Sequence, residues 1–177
     1  EGIMVSDDAP CFYVYRQIMN GREQTGLVGC ACVDDYIENR IKKHEFTRED
    51  KEIDRIKHVD TVSAHTGPIF LTYKDSTTLD NIIISQTEKE PLYDFTAEDG
   101  VRHTVWTTDN SFIDSQIEQG FKNLNALYIA DGHHRCASAV KVGIKRRSEN
   151  KNHTGNEEYN YFLSVIFPSK SLAILDY

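Results

Sequence analysis

The stretch Ala126-Leu127-Tyr128-Ile129-Ala130-Asp131-Gly132-His133-His134-Arg135-Cys136-Ala137 joins a short apolar run to a polar loop and an alanine-containing segment. The run 126–130 predicts a short strand, and the segment after the loop predicts a helix that ends at Gly143. The glycine between them, Gly132, lets the backbone approach a ligand closely. We therefore expect a strand-to-helix loop whose N–H groups face a cleft.

This loop concentrates hydrogen-bond donors at one point. The start of a helix presents unpaired N–H groups and a partial positive charge, which together attract anions. His133, His134 and Arg135 add side-chain donors there, and Arg135 can hold a phosphate through two parallel hydrogen bonds. Asp131 can cap the helix or hold a substrate hydroxyl or a metal-bound water. The cluster favours phosphate or other anion binding over a plain polar cap, which needs only the aspartate.

A zinc site is disfavoured at the same loop. Adjacent histidines on a helix diverge by about 100°, unlike a pair spaced four residues apart, and the chain has no H-E-x-x-H motif. The sequence therefore leaves the metal ligands of the site unassigned.

Alternating helix and strand signals predict an α/β (α+β) domain over residues 1–177. The sheet is expected to be mixed and mainly non-parallel, with flanking helices. Predicted strands cover 11–19, 25–33, 69–73, 92–96, 101–107, 126–130, 159–167 and 172–177, with hairpin turns at Asn20-Gly21 and Glu98-Asp99-Gly100. Predicted helices follow caps at Asp34-Asp35, Thr47, Ser76 and Asp109 or Asn110. Residues 145–158 are predicted to form a polar loop.

Two groups of side chains are expected to be buried. An apolar stripe at near-helical spacing predicts core packing for Ile53, Ile56, Val59 and Val62. Four cysteines without zinc or redox spacing predict reduced, buried thiols in a cytosolic protein: Cys11, Cys30, Cys32 and Cys136.

Length and charge narrow the function classes. With 177 residues the chain is sized for about one domain. Its net charge of −8 argues against a broad nucleic-acid-binding surface. No apolar run approaches the ~18 residues of a membrane helix, and the start shows no signal-peptide pattern. We expect a cytoplasmic protein without a membrane partner, and both ends predict a fragment of a longer chain.

A second, weaker signal is Lys42-Lys43-His44-Glu45. A carboxylate beside a histidine can serve as a general base or as a metal ligand. Taken alone, a charged cluster before a helix is more typical of a solvated surface. The segment Thr66-Gly67-Pro68 by itself indicates a turn.

Four segments together resemble a widespread prokaryotic family of unassigned function, domain-of-unknown-function family ten-fifteen. They are Tyr13-Val14-Tyr15-Arg16-Gln17, Ile41-Lys42-Lys43-His44-Glu45, Thr66-Gly67-Pro68-Ile69-Phe70 and the run from Tyr128 to Ala137. They occur in the family's order and span most of the chain. The family's full-length members are longer at both ends, which agrees with the expectation of a fragment.

The H-E pair followed by D-G-H-H-R also resembles, more distantly, the free-serine kinase of archaea and its ParB/sulfiredoxin-like nucleotide-binding fold. That resemblance implies a ParB/sulfiredoxin-like core with insertions. It implies that Glu45 is the catalytic base, assisted by His44 and Asp131, and that Gly132 to Arg135 hold the phosphates of ATP or ADP, with Mg²⁺. The separation of Glu45 and Asp131, 131 − 45 = 86 residues, is wider than in the compact kinase.

The resulting expectation is a nucleotide-binding phosphotransferase that acts on a small hydroxyl-bearing metabolite such as serine. A non-enzymatic, ParB-like regulatory protein that only binds the nucleotide is the first alternative, because such a protein needs no base at Glu45. A nuclease or DNA-binding module is the second, and the negative net charge counts against it. The sequence specifies neither the substrate nor the oligomeric state.

Overall fold

The computed structural model describes residues 7–108 and 110–173, which form five helices and eight strands. The strands are β1 (Tyr13–Met19), β2 (Arg22–Cys32), β3 (Ile41–Lys42), β4 (Ile69–Tyr73), β5 (Tyr93–Thr96), β6 (Arg102–Thr107), β7 (Leu127–Asp131) and β8 (Tyr161–Pro168). The helices are α1 (Val33–Ile37), α2 (Glu49–Val62), α3 (Thr77–Thr87), α4 (Ser111–Lys122) and α5 (His133–Glu149). Two 3₁₀ turns cover Glu158–Asn160 and Ser169–Ser171. None of the described helices is long and apolar enough to cross a membrane.

All eight strands belong to one open sheet in the order β3-β7-β4-β8-β2-β1-β6-β5. Only the pairs β3/β7 and β4/β8 are parallel, and the other five neighbouring pairs are antiparallel. The predicted mixed, mainly non-parallel α/β class is therefore confirmed. Both predicted hairpins are present, with glycines at positive φ in their turns, Gly21 at 77° and Gly100 at 82°.

The core lies between the helices and one face of this sheet. Paired strand residues on that face pack against α3 and α4 at one end of the sheet and against α5 at the other. The buried strand residues include Val14, Leu27, Leu71, Trp106 and Ile129, and the buried helix residues include Leu79, Ile83, Ile117, Cys136 and Val140. This packing fixes the start of α5 at the carboxyl end of β7.

Two β-loop-α units, β3–α2 and β7–α5, run side by side in constant register. Strand β3 pairs in parallel with β7, and the helices that follow continue the same alignment. The matched residues, each 86 positions apart, are Ile41–Leu127, Lys42–Tyr128, Arg48–His134, Glu52–Ser138 and Asp60–Arg146. The wide gap seen in the sequence therefore returns the chain to an adjacent position instead of separating the two motifs.

Helix α5 is longer than the sequence predicts. It continues past Gly143 to Glu149, so residues 145–149 of the predicted polar loop are helical. Gly143 serves packing and not termination: a Cβ there would lie 2.6 Å from the carbonyl oxygen of Tyr159. The basic residues near the end of α5 form ion pairs. Lys145 and Arg146 are paired with Asp60, and Arg147 is paired with Asp34.

The predicted core stripe of α2 is wrong in part. Ile53 and Val62 are 60% and 48% exposed, and the buried residue of the helix is Glu52. The reason is that α2 packs on α5, whose facing side chains include the polar Ser138 and Lys141, and not on the sheet. The cap is Arg48 instead of Thr47.

Several smaller predictions differ at single residues. Only Cys136 is buried, whereas Cys11 and Cys32 are half-buried and Cys30 is exposed, because the sheet face that carries Cys30 lies away from the helices. Helix α1 begins at Val33, which leaves Asp34 and Asp35 in its first turn. Ser76 and Asn110 cap α3 and α4 as predicted, while Asp109 lies outside the described residues. Leu172 and Ala173 are not in a strand, and 174–177 are not described.

Candidate functional site

The sheet topology brings three of the four family-like segments, those at 41–45, 66–70 and 128–137, to the same end of the strands. Because β3 and β7 are parallel, the loops after Lys42 and after Asp131 leave the sheet at the same end. Strand β4 is antiparallel to β7, with Phe70 opposite Asp131, so the Thr66-Gly67-Pro68 turn enters the sheet there as well. A crevice outside the carboxyl ends of parallel strands is the usual ligand position in open α/β sheets.

The strand-to-helix connection predicted at Asp131–Arg135 is present but shorter than predicted, because Asp131 ends β7 and His133 already begins α5. Gly132 is the N-cap of α5 at φ 90°, a left-handed conformation that favours glycine. No side chain caps this helix start, and its first turn holds no acidic residue. The first N–H groups of a helix have no acceptor within it. The start of α5 therefore offers backbone donors and its partial positive charge to a ligand.

His133 is a buried histidine at this helix start. Its side chain is 4% exposed, and its Nδ1 lies 3.7 Å from the Glu45 carboxylate. The ring of His44 meets it edge-on, with centroids 4.4 Å apart. Burial lowers the pKa of His133, His44 adds to this effect, and Glu45 opposes it. Within the described part of the chain its buried Nε2 has no hydrogen-bond partner.

His134 connects α5 to the loop that carries Glu45 through a hydrogen bond. The backbone N–H of Arg48 donates to His134 Nε2 at 3.1 Å, which requires an unprotonated Nε2. The carbonyl oxygen of His134 in turn accepts the Ser138 hydroxyl at 2.7 Å. His134 was expected to bind phosphate, and in this arrangement one of its two ring nitrogens already holds the backbone of Arg48.

Arg135 lies across two glycines. Its guanidinium is paired with Asp131 at 2.8 Å, and both side chains are partly exposed, by 43% and 73%. A Cβ on Gly132 would lie 3.0 Å from Arg135 Nε, and one on Gly67 would lie 3.5 Å from Nη1. The absence of side chains at these two glycines makes room for the guanidinium beside the helix start. Sequence reasoning identified Thr66-Gly67-Pro68 as a turn and as part of a family-like segment but assigned it no role in the site, because its place beside Arg135 depends on the sheet register.

An ion pair between a half-exposed lysine and a buried glutamate was missed by the sequence analysis. Glu52 is buried on α2, where Lys141 of α5 holds it through a salt bridge. Hydrogen bonds from Lys141 and Thr47 lower the pKa of Glu52 despite its burial. No local pattern identifies this pair, because its members are 89 residues apart and meet only when α2 packs on α5.

The assembled site combines donors with two exposed carboxylates, those of Glu45 and Asp131. The described residues contain no group of three or more side chains placed to hold a metal ion. A divalent ion would therefore depend on oxygens of a bound ligand, as Mg²⁺ commonly does with substrate phosphates. The arrangement suits an anionic ligand whose reacting group lies near a carboxylate.

A large cleft lies elsewhere in the molecule. A space of about 690 Å³ is bounded by β2, the start of β3 and the end of α4, and Phe12, Arg40 and Phe121 are among its lining residues. None of the residues predicted for the site lines it. Size alone therefore does not identify the functional site in this chain.

Comparison with known proteins agrees with the four motifs. The chain matches a family described as "Protein of unknown function (DUF1015)" over residues 1–177, and it therefore belongs to that family. No curated protein and no solved structure matches the chain.

Proposed function

We propose that this member of the DUF1015 family binds ATP or ADP and transfers a phosphoryl group to a small hydroxyl-bearing metabolite such as serine. The observation that carries the proposal is the convergence of Glu45, the uncapped start of α5 and Arg135 at one sheet edge. The more distant likeness to archaeal free-serine kinase and to the ParB/sulfiredoxin-like nucleotide-binding fold points to the same chemistry.

Phosphate oxygens would bind at Gly132, His133, His134 and Arg135. The helix-start N–H groups would donate to the anion, and Gly132 leaves that approach open because it has no side chain. Arg135 is partly exposed, so its guanidinium can exchange Asp131 for a phosphate. Asp131 and Glu45 are the carboxylates of the site that would hold Mg²⁺ together with a bound phosphate, and the ion would supply neutralisation of charge on the transferring group.

Glu45 would act as the general base. Its carboxylate is 57% exposed, and it faces His133 across the loop. In the transfer, the acceptor hydroxyl gives its proton to Glu45 while its oxygen forms a bond to the terminal phosphorus. The bond between that phosphorus and the bridging oxygen breaks, and the remaining nucleotide leaves with the electron pair. Positioning and charge stabilisation supply most of the catalysis in such reactions.

His44 and Asp131 would support this step. His44 packs its ring on His133, which keeps the Glu45 loop close to α5. Asp131 holds Arg135 in the absence of phosphate and would then be free to orient the acceptor hydroxyl or a metal-bound water. Both roles follow from contacts at the loop and concern positioning before transfer.

Phe46 offers a platform for the nucleobase. It follows Glu45 directly, and it is 99% exposed, which is unusual for a large apolar side chain. Stacking of a base on an exposed aromatic ring is worth about 1–3 kcal/mol. We include this contact in the proposal because Phe46 directly follows the proposed base and its ring is exposed.

The test is calorimetric titration of ADP and ATP into the protein and its Arg135→Ala and Glu45→Gln variants. Arg135→Ala should weaken binding about ten- to a hundredfold, the equivalent of a charge-assisted contact of roughly 1.5–3 kcal/mol. Arg102→Ala is the matched control, because Arg102 is 49% exposed and is also paired with an aspartate, Asp94, away from the site. Unchanged affinity in Arg135→Ala would remove the phosphate assignment.

Turnover separates an enzyme from a binding protein. A screen of ATP and ADP against serine, threonine and related hydroxy metabolites identifies the acceptor. Glu45→Gln should keep the nucleotide affinity and lower the rate about 10²–10⁴-fold, because glutamine cannot take the proton. Nucleotide binding without turnover of any acceptor would favour the ParB-like regulatory function, and full activity in Glu45→Gln would eliminate the base.

A further inference from the structure

A second, smaller groove adjoins Arg135 on the side of the Thr66-Gly67-Pro68 turn. It has a volume of about 130 Å³ and lies between α2, the entry to β4 and the first turns of α5. Its polar lining includes Arg55, His58, His65 and Arg135, and no carboxylate lines it. In a chain of net charge −8 such a lining is a local reversal of sign.

Arg55 is available to a ligand directly, and Arg135 becomes available when it exchanges its partner Asp131 for the ligand. Arg55 has no carboxylate partner among the described residues, and its one hydrogen bond is a 3.3 Å contact to the carbonyl oxygen of Lys51. His58 lies one helical turn further along the same face of α2. Arg135 reaches the groove from α5, where a Cβ on Gly67 would lie 3.5 Å from its Nη1. Guanidinium groups from two different helices therefore border one small space.

His65 forms a fixed wall of the groove. Its Nε2 lies 3.2 Å from the carbonyl oxygen of Tyr161, which can only accept, so this nitrogen carries the hydrogen. Burial lowers the pKa of His65, which disfavours the charged form of the ring. The permanent positive charge of the groove therefore comes from its two arginines, Arg55 and Arg135.

The volume limits what can bind. Pockets for drug-sized ligands measure about 300–1,000 Å³, so 130 Å³ holds a single small group and not a nucleoside. A carboxylate or a phosphate monoester fits both this size and the fork geometry of guanidinium groups. The nucleotide itself would lie on the other side of Arg135, at the start of α5.

We infer that this groove binds the oxyanion of the acceptor metabolite, so that the acceptor is an anionic hydroxy compound such as a hydroxy acid or a phosphorylated alcohol. The identity of the ligand as an acceptor rests on the proposed function, because Arg135 borders both the groove and the phosphate site. The presence of an oxyanion site rests on the groove alone.

The experiment is an NMR titration of the chain with sodium acetate, inorganic phosphate and ADP in separate arms, observing the imidazole C–H signals of His58 and His65. Acetate or phosphate should shift these signals. Arg55→Gln should weaken that binding about tenfold and leave ADP affinity unchanged. Lys57→Gln is the matched control, since it removes the same charge from the same helix outside the groove.

Each outcome bears on one part of the inference. Tighter binding of acetate supports a carboxylate acceptor, and tighter binding of phosphate supports a phosphorylated one. Equal affinities in Arg55→Gln and the wild-type chain, or equal losses in Arg55→Gln and Lys57→Gln, would overturn the groove as an oxyanion site. If the oxyanions shift His58 but ADP does not bind, the proposed function fails while the oxyanion site stands.

Discussion

The backbone N–H of Arg48 donates to Nε2 of His134 at 3.1 Å, across 86 residues of sequence. This bond joins the loop that carries Glu45 to the first turn of α5. Two residues before His134, Gly132 opens the helix start, and three residues before Arg48 stands the candidate base. The geometry of the proposed site therefore depends on His134, whose ring accepts a hydrogen bond from the backbone of the Glu45 loop.

Replacement of His134 by alanine should loosen this loop. The lost hydrogen bond is worth about 0.5–1.5 kcal/mol, so the Arg48 amide should exchange with solvent roughly two- to tenfold faster. Hydrogen exchange followed by mass spectrometry or NMR measures this directly. His153→Ala, which removes a histidine that contacts Tyr159 and, within the described part of the chain, not Arg48, should leave the Arg48 amide unaffected. Unaltered exchange in His134→Ala would contradict the role assigned to the bond.

His133 should titrate below the ordinary histidine range. Burial lowers its pKa, so the folded chain binds a proton there less readily than the unfolded chain does. Stability attributable to His133 is then present above the unfolded value of about 6.5 and falls as pH drops below it. Because Glu45 raises this pKa, Glu45→Gln should lower the NMR midpoint of His133 further. Glu49→Gln, on the neighbouring helix start, serves as the control, and an upward shift in Glu45→Gln would refute the assignment.

Lys141→Met should destabilise the packing of α2 on α5. It leaves Glu52, whose side chain is 5% exposed, without its cation, at a cost of about 1.5–3 kcal/mol at neutral pH. Lysine lowers the pKa of Glu52, so its stabilising effect is present above the unfolded value of about 4.3 and is lost as pH falls through the lowered folded value. Urea unfolding at several pH values should show the difference from wild type shrinking in acid.

The surface pair Lys122–Glu118 provides the comparison for this measurement. Its two side chains are 69% and 57% exposed, and such pairs contribute only about 0–1 kcal/mol. Lys122→Met should therefore change the free energy of unfolding much less than Lys141→Met. Equal effects of the two substitutions would show that Glu52 is not held by Lys141.

Phe46→Ala should weaken ADP binding without loss of stability. The ring is 99% exposed, so its removal leaves no cavity in the core. Loss of base stacking of about 1–3 kcal/mol corresponds to roughly five- to 150-fold in affinity. Phe112→Ala removes another exposed ring, at the start of α4, and should leave ADP affinity unchanged. Inorganic phosphate, which has no base, should bind both variants equally well.

The local parts of this fold were predictable because their signals are local. An apolar run, a glycine and a helix start predict the loop at Gly132, and Asn20-Gly21 predicts the first hairpin. Packing partners were less predictable. Periodicity identified an apolar face on α2 but not that this helix meets the polar face of α5, so Ile53 was wrongly placed in the core.

The candidate site was found in sequence only where its residues adjoin. Asp131 to Arg135 form a short cluster that indicates chemistry by itself. His44-Glu45 is a weak signal alone, and its role was predicted only from the resemblance to the free-serine kinase. The groove side chains Arg55, His58 and His65 are dispersed along α2 and its exit, and no motif links them to Arg135. The prediction that α5 ends at Gly143 was wrong for a related reason. This glycine is required because the backbone of Tyr159 packs against it, and in the sequence it cannot be distinguished from a glycine that terminates a helix.

The constant register of the two β-loop-α units has a consequence for tolerance to insertions and deletions. A residue added at the exposed tip of the β5–β6 hairpin, near Gly100, lengthens the connection between the units without changing how they align. Removal of a residue between Lys42 and Arg48 would disturb the alignment, because β3 is paired with β7 and the start of α2 is hydrogen-bonded to α5. Among homologous chains, the distance between the two motifs should therefore vary in length, while the six-residue step from Lys42 to Arg48 should not.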